Sequence, residues 1–493
     1  MHISICVTSD LHGRLDRFEQ ITKEMKQLNP DLIIDNGDFL QGSLTTYYYD
    51  WVQPRPHPMV ALANKTGYDV AIFGNHEFNY PVESIEAMRN ECDFPWIAGN
   101  IGDFAQPYII KQVKGIKVAI VGVVTHFTPL WDEQQHTKSL TFTNAFSSAS
   151  YWVQYVKEIE QADVVILSYH GGFTRDPETD SLYAADTGEN EANQMLEIPG
   201  VDIFITGHQH LEICTVINGI PVIQPGANGR CFGYIEYQLD KNKEHNVQLH
   251  YIENKPELFP QEVSDWLAQP IGYTTEDFTY KGLLSAQLSN IPYVDLLHEI
   301  QLSTTGADLS VVELFYHETG GFTGTITNQD VLNNYSRSNT LKVLQLTGAD
   351  IRAVLEKCAA IFAVNKHGEI DYSLNVYPNT VQPYLYNFWG GLDYKLSIDE
   401  PVGQRVTKLV FQGQPITDDM TMNVAMNSYH ATGAEFPMFQ HKPVVFASQD
   451  ILPEIIRKYI KQHSPLSHYK HGHFQVTCTK TEESKKRDFN KNA

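Results

Sequence analysis

Five short blocks in the first half of the chain bring together side chains that could do chemistry: Asp10-x-His12, Asn36-Gly37-Asp38, Gly74-Asn75-His76-Glu77, His170-Gly171-Gly172 and Gly207-His208-Gln209-His210. Carboxylate, amide and imidazole donors with no thiolate among them are the set that holds hard and borderline divalent cations. Asp10 and His12, two apart on a turn, can point at one ion. Asp38 can place one oxygen on each of two ions and so bridge them. Taken singly, each residue has an ordinary explanation: Asp10 as a helix cap, Asp38 as a turn residue, His170 and His208 as packed imidazoles. Five such blocks at five strand ends are not explained by five separate accidents.

The elements around the blocks explain how they could meet. Ile3 to Thr8 alternates as a strand and runs into Ser9-Asp10. Leu15, Phe18, Ile21, Met25 and Leu28 then fall at helical spacing, and Pro30 closes that helix. Strand patterns over 31–35, 70–73, 162–168 and 201–206 run into the other four blocks, with a further strand over 117–125. Alternating strands and helices predict an α/β fold with a largely parallel sheet. In such sheets ligands collect at the C-terminal ends of the strands, where the blocks lie.

At 493 residues the chain is too long for one hydrophobic core, and its 42% apolar content is that of a folded protein. Four segments are expected: a first domain over 1–252, a linker over 253–271, a second domain over 272–480 and a charged tail over 481–493. A formal charge of -23 leaves no broad positive field for a nucleic-acid polymer or an anionic membrane. A small anionic substrate remains possible if bound cations supply the local positive charge. The chain opens directly in a strand pattern without a secretory leader, and no apolar run approaches the roughly 20 residues that span a bilayer, so a cytoplasmic protein is expected. Cysteines at 6, 92, 214, 231, 358 and 478 lack paired spacing and are expected to be reduced thiols.

In their order and spacing the five blocks resemble the signature of the calcineurin-like metallophosphoesterases, above all the branch containing the 5'-nucleotidases and the 2',3'-cyclic-nucleotide phosphodiesterases. The resemblance implies a four-layer α/β/β/α sandwich with a dimetal centre at its strand ends. It implies that one ion takes Asp10, His12, Asp38 and His210, and that the other takes Asp38, Asn75, His170 and His208. Mn²⁺, Zn²⁺ or Fe are the ions such donors accept. Two ions about 4 Å apart can share an activated hydroxide and neutralise the phosphoryl oxygens. His76 matches the family's histidine that faces the scissile phosphate without binding metal, and general acid catalysis there would contribute roughly 10²- to 10⁴-fold. Where the 5'-nucleotidase branch usually has an aspartate that orients this histidine, the chain has Asn79. An asparagine can hydrogen-bond the imidazole without stabilising its charged form, and Glu77-Phe78-Asn79-Tyr80 looks more like the cyclic-phosphodiesterase branch.

The second half resembles the α+β C-terminal domain of the same nucleotidases, chiefly in Ile326-Thr327-Asn328-Gln329-Asp330-Val331, Asn339-Thr340-Leu341 and Leu346-Thr347-Gly348. The family's arginine-bearing phosphate loop is replaced by Glu318-Thr319-Gly320-Gly321-Phe322, and Arg337 is the nearest cation that could take over. Tyr384 or Tyr386, with Tyr429, sit where the family's base-stacking rings would be. The function implied is 5'-nucleotidase-like hydrolysis of a small nucleotide substrate. A 2',3'-cyclic-nucleotide 2'-phosphodiesterase/3'-nucleotidase is the alternative. A nucleotide-binding module without turnover would be favoured by a missing metal ligand, and none is missing.

Overall fold

The computed structural model describes residues 1–131, 136–183, 187–240, 244–254, 256–315, 319–335, 337–373, 385–433 and 436–478. The tail expected over 481–493 lies outside the described residues. The chain divides into two compact units, Met1–Val263 and Ser264–Ala493.

The first unit is built on two six-stranded sheets. One contains β1 (His2–Thr8), β2 (Leu32–Asp35), β3 (Val70–Ile72), β4 (Trp96–Ile97), β11 (Cys231–Gln238) and β12 (Asn246–Tyr251), in the order β12-β11-β1-β2-β3-β4. The other contains β5 (Tyr108–Val113), β6 (Ile116–Val124), β7 (Val164–His170), β8 (Ile203–Thr206), β9 (Glu212–Ile217) and β10 (Ile220–Pro225), in the order β5-β6-β7-β8-β10-β9. The motif-bearing strands β1, β2 and β3 pair in parallel, as do β6, β7 and β8.

Period-two alternation sorts these strands into four layers. Ile3, Ile5, Val7, Leu32, Ile34, Val70 and Ile72 face Val118, Ile120, Val164, Ile166, Ile203 and Ile205 in a core between the sheets. The intervening Cys6, Ile33 and Ala71 turn outward and pack with Phe18, Ile21 and Met25 of the helix Leu15–Leu28 and with Val60 and Ala63 of the helix Pro58–Thr66. On the far side Val121, Val165 and Leu167 pack under Ala149, Val153 and Val156 of the helix Ala145–Glu158. Both faces of each sheet are therefore covered, as near-continuous apolar strands require. This is the α/β/β/α sandwich.

Local details differ from expectation at the ends. Helix Leu15–Leu28 is closed by Asn29 in the left-handed region, at φ 45°, whose N–H bonds to Met25 O at 3.0 Å; Pro30 follows this cap. Strand β7 runs two residues further than its apolar pattern and includes His170. Among the described residues no helix is long and apolar enough to cross a membrane, and all six cysteines are free.

The pairing of β1 with β2 continues past both strands. Asp10 N–H bonds to Gly37 O at 2.9 Å, His12 N–H to Asp38 O at 3.0 Å and Gly13 N–H to Phe39 O at 3.0 Å, so the two loops run side by side beyond the sheet. The glycines there are demanded by close approach. A Cβ on Gly37, at φ +96°, would lie 2.5 Å from Gly74 N and 2.8 Å from His170 Nδ1, and one on Gly74 would lie 2.2 Å from Asp38 Oδ1.

The second unit has a five-stranded sheet in the order Phe388–Gly390, Leu309–Val312, Thr421–Asn427, Thr340–Thr347, Val444–Ile451. Helices Pro292–Thr305, Gly348–Ala360 and Leu452–His463 share its core. Thr327 with Asp330, and Thr347 with Asp350, form capping boxes that start the helices Asn328–Asn334 and Gly348–Ala360. The stretch 253–271 carries the helix Gln261–Leu267.

Candidate functional site

Seven donor residues of the five blocks meet at the strand ends of the first unit, and their backbones show how tightly they are placed. Asp10, His12, Asp38, His208 and His210 all have positive φ, between 49° and 69°. Among the described residues only thirteen non-glycine residues do so, and five of them lie at this one place. Each left-handed residue costs about 1–3 kcal/mol, a strain that persists only where the surroundings over-determine it.

One group of donors is Asp10, His12 and His210, whose ligand atoms lie within 4.8 Å of one another. His12 Nδ1 donates to Gln41 O at 2.8 Å, which leaves the lone pair on Nε2. That Nε2 faces His210 Nε2 at 3.0 Å, and His210 Nε2 lies 3.6 Å from Asp10 Oδ1. Burial lowers the pKa of both His12 and His210, so both rings are held toward the neutral form that binds cations.

The second group is centred on Asp38 and His170, both buried. His170 Nδ1 donates to Asn36 O at 2.6 Å, aiming Nε2 at Asp38 Oδ2, 3.2 Å away, and at Asp10 Oδ1, 3.9 Å away. That Nε2 is a buried nitrogen with no hydrogen-bond partner. Nearby, His208 Nδ1 faces Asn75 Oδ1 at 2.8 Å, and the His208 and His170 rings are 5.7 Å apart. Asp10 is the carboxylate common to both triads of close donors, Asp10-His12-His210 and Asp10-Asp38-His170. The sharing expected at Asp38 has a counterpart in its two oxygens: Oδ1 accepts the His76 N–H at 2.8 Å while Oδ2 turns to His170.

The electrostatics ask for positive charge. Burial works against the charge of Asp38, but His170, His76 and His12 together hold its carboxyl well below the usual range. Burial likewise opposes charge on His170, but Asp38 and Asp10 raise its pKa far enough to keep a proton there. The proton stands where a divalent cation would satisfy the same carboxylates. An orphaned imidazole nitrogen, two neutral rings meeting at their Nε2 atoms and two buried carboxylates fit divalent metal ions.

His76 begins a short 3₁₀ turn, His76–Asn79, which brings Asn79 back onto it: His76 Nδ1 lies 2.6 Å from Asn79 Oδ1. The ring is about a third exposed, and its Nε2 lies 4.0 Å from Asp38 Oδ2. Three residues hold the constellation without offering a donor to it. The buried Glu77 carboxylate accepts the N–H groups of Asp38 at 3.0 Å, Phe39 at 2.8 Å and Gly74 at 2.7 Å, stitching the β2 loop to the β3 loop. Burial and the Asp38 charge push Glu77 up to about 7. Asn36 joins the two sheets, accepting from Ser168 Oγ at 2.6 Å as well as from His170. Gln41 acts through its carbonyl. Glu77 and Asn36 lie inside the sequence blocks, and only the loop geometry separates the stitches from the donors.

In the second unit Tyr429 is half-buried on the turn Ser428–Ala431, which Asn427 caps by accepting from His430 N–H at 2.8 Å. Arg337 is exposed. The expectation for Tyr386 is corrected: its ring is fully buried against Phe362 and Phe388 and offers no face to a base. Tyr384 and Glu318 lie outside the described residues. Phe322, at the end of the glycine loop, is buried.

Comparison with known proteins bears on both units. The calcineurin-like phosphoesterase model matches residues 3–212, and the 5'-nucleotidase C-terminal domain model matches residues 270–441. A 2',3'-cyclic-nucleotide 2'-phosphodiesterase/3'-nucleotidase of Yersinia enterocolitica is 23% identical, over 96% of this chain and 86% of that protein. A 5'-nucleotidase of Vibrio cholerae is 19% identical, over 94% of this chain and 91% of that protein. A Staphylococcus aureus structure assigned as a 5'-nucleotidase, solved with alpha-ketoglutarate, superposes with a TM-score of 0.84 at 28% identity, covering 97% of this chain and 100% of that one.

Replacing Glu77 by Ala strands three buried N–H groups, each worth about 1–3 kcal/mol when unsatisfied. The Glu77→Ala chain is expected to lose at least about 3 kcal/mol in denaturant unfolding, and Glu77→Gln less, since one amide oxygen still accepts. An unchanged unfolding midpoint in Glu77→Ala would show that the loops hold each other without it.

Proposed function

Residues 3–212 belong to the calcineurin-like phosphoesterase family and residues 270–441 to the 5'-nucleotidase C-terminal domain family, and from that pairing we propose that the chain hydrolyses phosphoesters of nucleotides with two divalent cations. The observation that carries the reading is the convergence of two donor groups on two buried carboxylates. Asp10, His12 and His210 would hold one cation, and Asn75, His170 and His208 the other, with Asp38 between them. Mn²⁺, Zn²⁺ and Fe suit this mixed oxygen and imidazole set. When bound, the pair supplies a nucleophile from water at neutral pH and neutralises charge on the phosphoryl oxygens.

The chain's own contribution to the chemistry is His76. With Nδ1–H held on Asn79 Oδ1, the nitrogen turned away from its own loop is Nε2, beside Asp38. It is the atom that hands a proton to the departing oxygen, so the leaving group departs without a full negative charge. Asn79 orients the ring and adds no charge of its own. The uncharged Asn79, together with the Yersinia relative, favours a second substrate reading, 2',3'-cyclic nucleotides in place of 5'-monophosphates. Tyr429 is the proposed base-stacking ring of the second unit; its ring is only half-buried.

Titration of metal-free protein with Mn²⁺ is expected to reach two ions per chain, and saturation at one overturns the dimetal reading. A panel of 5'-, 3'- and 2',3'-cyclic nucleotides assayed on the loaded protein then separates the two substrate readings. His76→Ala is expected to lower kcat by about 10²-fold or more while both ions stay bound; full turnover in that variant removes His76 from the reaction. Tyr429→Ala is expected to raise KM for nucleotides by the equivalent of about 1–3 kcal/mol and to leave p-nitrophenyl phosphate hydrolysis nearly unchanged. Equal loss on both substrates would assign Tyr429 to the fold.

A further inference from the structure

His208 is held from three sides, and two of the three neighbours, Trp131 and Glu189, belong to none of the five blocks. Its Nδ1 faces Asn75 Oδ1 at 2.8 Å, toward the second group of donors. Its ring lies under the indole of Trp131, with centroids 5.3 Å apart and planes inclined by 21°. Its Nε2 lies 2.9 Å from Glu189 Oε1. Glu189 sits in the segment between β7 and the short helix Ala192–Met195 and has no place in the strand-end pattern.

That segment is fastened across the ends of β6 and β7. The Glu189 carbonyl accepts from Tyr169 Oη at 3.0 Å and from Thr125 Oγ1 at 3.1 Å. The next residue, Asn190, accepts the Gly172 N–H at 3.0 Å, and Glu191 accepts from Asn144 Nδ2 at 2.6 Å. Tyr169 precedes the His170 block and Gly172 ends it, so the element that carries Glu189 is registered to the same strand end as His170. The carboxylate is placed by the bonds made by its own carbonyl and by the side chains of the two residues that follow it.

A neutral imidazole carries one proton, and its position decides which nitrogen can bind a cation. Both ring nitrogens face an oxygen that accepts, and a charged carboxylate is the stronger acceptor of the two, so the proton belongs on Nε2 beside Glu189 and the lone pair is left on Nδ1, on the side of Asn75. Trp131 fixes the plane of the ring by stacking. We infer that Glu189 is a positioning residue for the second cation: it holds His208 in the tautomer and orientation that present Nδ1 to the ion shared with Asn75. The inference rests on the dimetal reading and extends it to a residue remote from the blocks in sequence. Carboxylate partners of ligating histidines typically change metal affinity by about 10- to 100-fold when removed.

The test is titration of the full-length, metal-free chain with Co²⁺, followed by calorimetry and by the visible absorption of the bound ion. Wild type is expected to bind two equivalents. In Glu189→Ala the second equivalent is expected to weaken by about 10- to 100-fold with a changed Co²⁺ spectrum, while the first equivalent and the melting temperature of the metal-free protein stay as in wild type. Glu189→Gln is expected to fall between, because its amide oxygen still accepts from Nε2–H. Two equivalents bound by Glu189→Ala as tightly as by wild type overturn the inference alone. So does equal weakening of both equivalents with a lower metal-free melting temperature, which is a structural effect. Glu189→Gln as damaging as Glu189→Ala also overturns it, by making the carboxylate itself a ligand. A wild type that binds one equivalent overturns the dimetal reading and this inference with it.

Discussion

Asp10 and Asp38 are carboxylates removed from water and set close together, and the rest of the site answers to that placement. Charges so placed repel each other and lose their hydration, which is tolerable only beside positive charge or strong donors. Among the described residues their ion-pair partners are histidines. Backbone N–H groups complete the cradle, from His208 to Asp10 and from His76 to Asp38. Imidazoles are the useful partners here. His170, protonated, offsets the carboxylates; neutral, it gives the same position to a cation as a ligand. At that position the positive charge can thus be carried by a proton or by a cation.

Placing donors from separate strand ends within one coordination sphere requires the chain to turn sharply straight after each strand. That is why five of the ligand candidates occupy left-handed backbone. At about 1–3 kcal/mol each, the strain is of the same order as the net stability of a small domain. It is sustained because the loops are bonded to one another, the β1 loop to the β2 loop through backbone pairs and the β2 loop to the β3 loop through Glu77. The core between the two sheets keeps the strand ends in register beneath them. Gly37 and Gly74 complete the arrangement by having no Cβ where those loops touch.

Much of this was legible in the residues, and the illegible part has a common cause. Donor types announce themselves by recurring at five strand ends, because separate caps, turns and packed rings do not explain all five together. Apolar runs in β1, β2 and β6 likewise marked them as strands. What the sequence does not show is which atom of a donor is free. His12 is aimed by the carbonyl of Gln41, and a carbonyl has no residue type to be recognised by. Glu77 looks like one more acidic ligand in its block until three N–H groups are found on it. Glu189 reaches His208 from a segment with no pattern at all. Tyr386 shows the converse: a ring of the right type in the right stretch turns inward, because Phe362 and Phe388 give it apolar neighbours and the sheet strand that follows it is buried.

Asn79 shows how charge bears on the proposed reaction. An aspartate in its place would hold His76 equally well and add a negative charge beside a phosphate that already carries one or more. The site already contains the carboxylates of Asp10, Asp38 and Glu77, and Glu189 lies one imidazole away. A neutral amide oxygen 2.6 Å from Nδ1 orients the ring without increasing that total. The His76 Nε2 then lies 4.0 Å from Asp38 Oδ2. Asp38 is also the carboxylate proposed to lie between the cations, and its Oδ1 accepts the His76 N–H at 2.8 Å. One side chain thus joins the His76 turn to the proposed metal centre, and Asn79 holds the ring without adding a charge beside it.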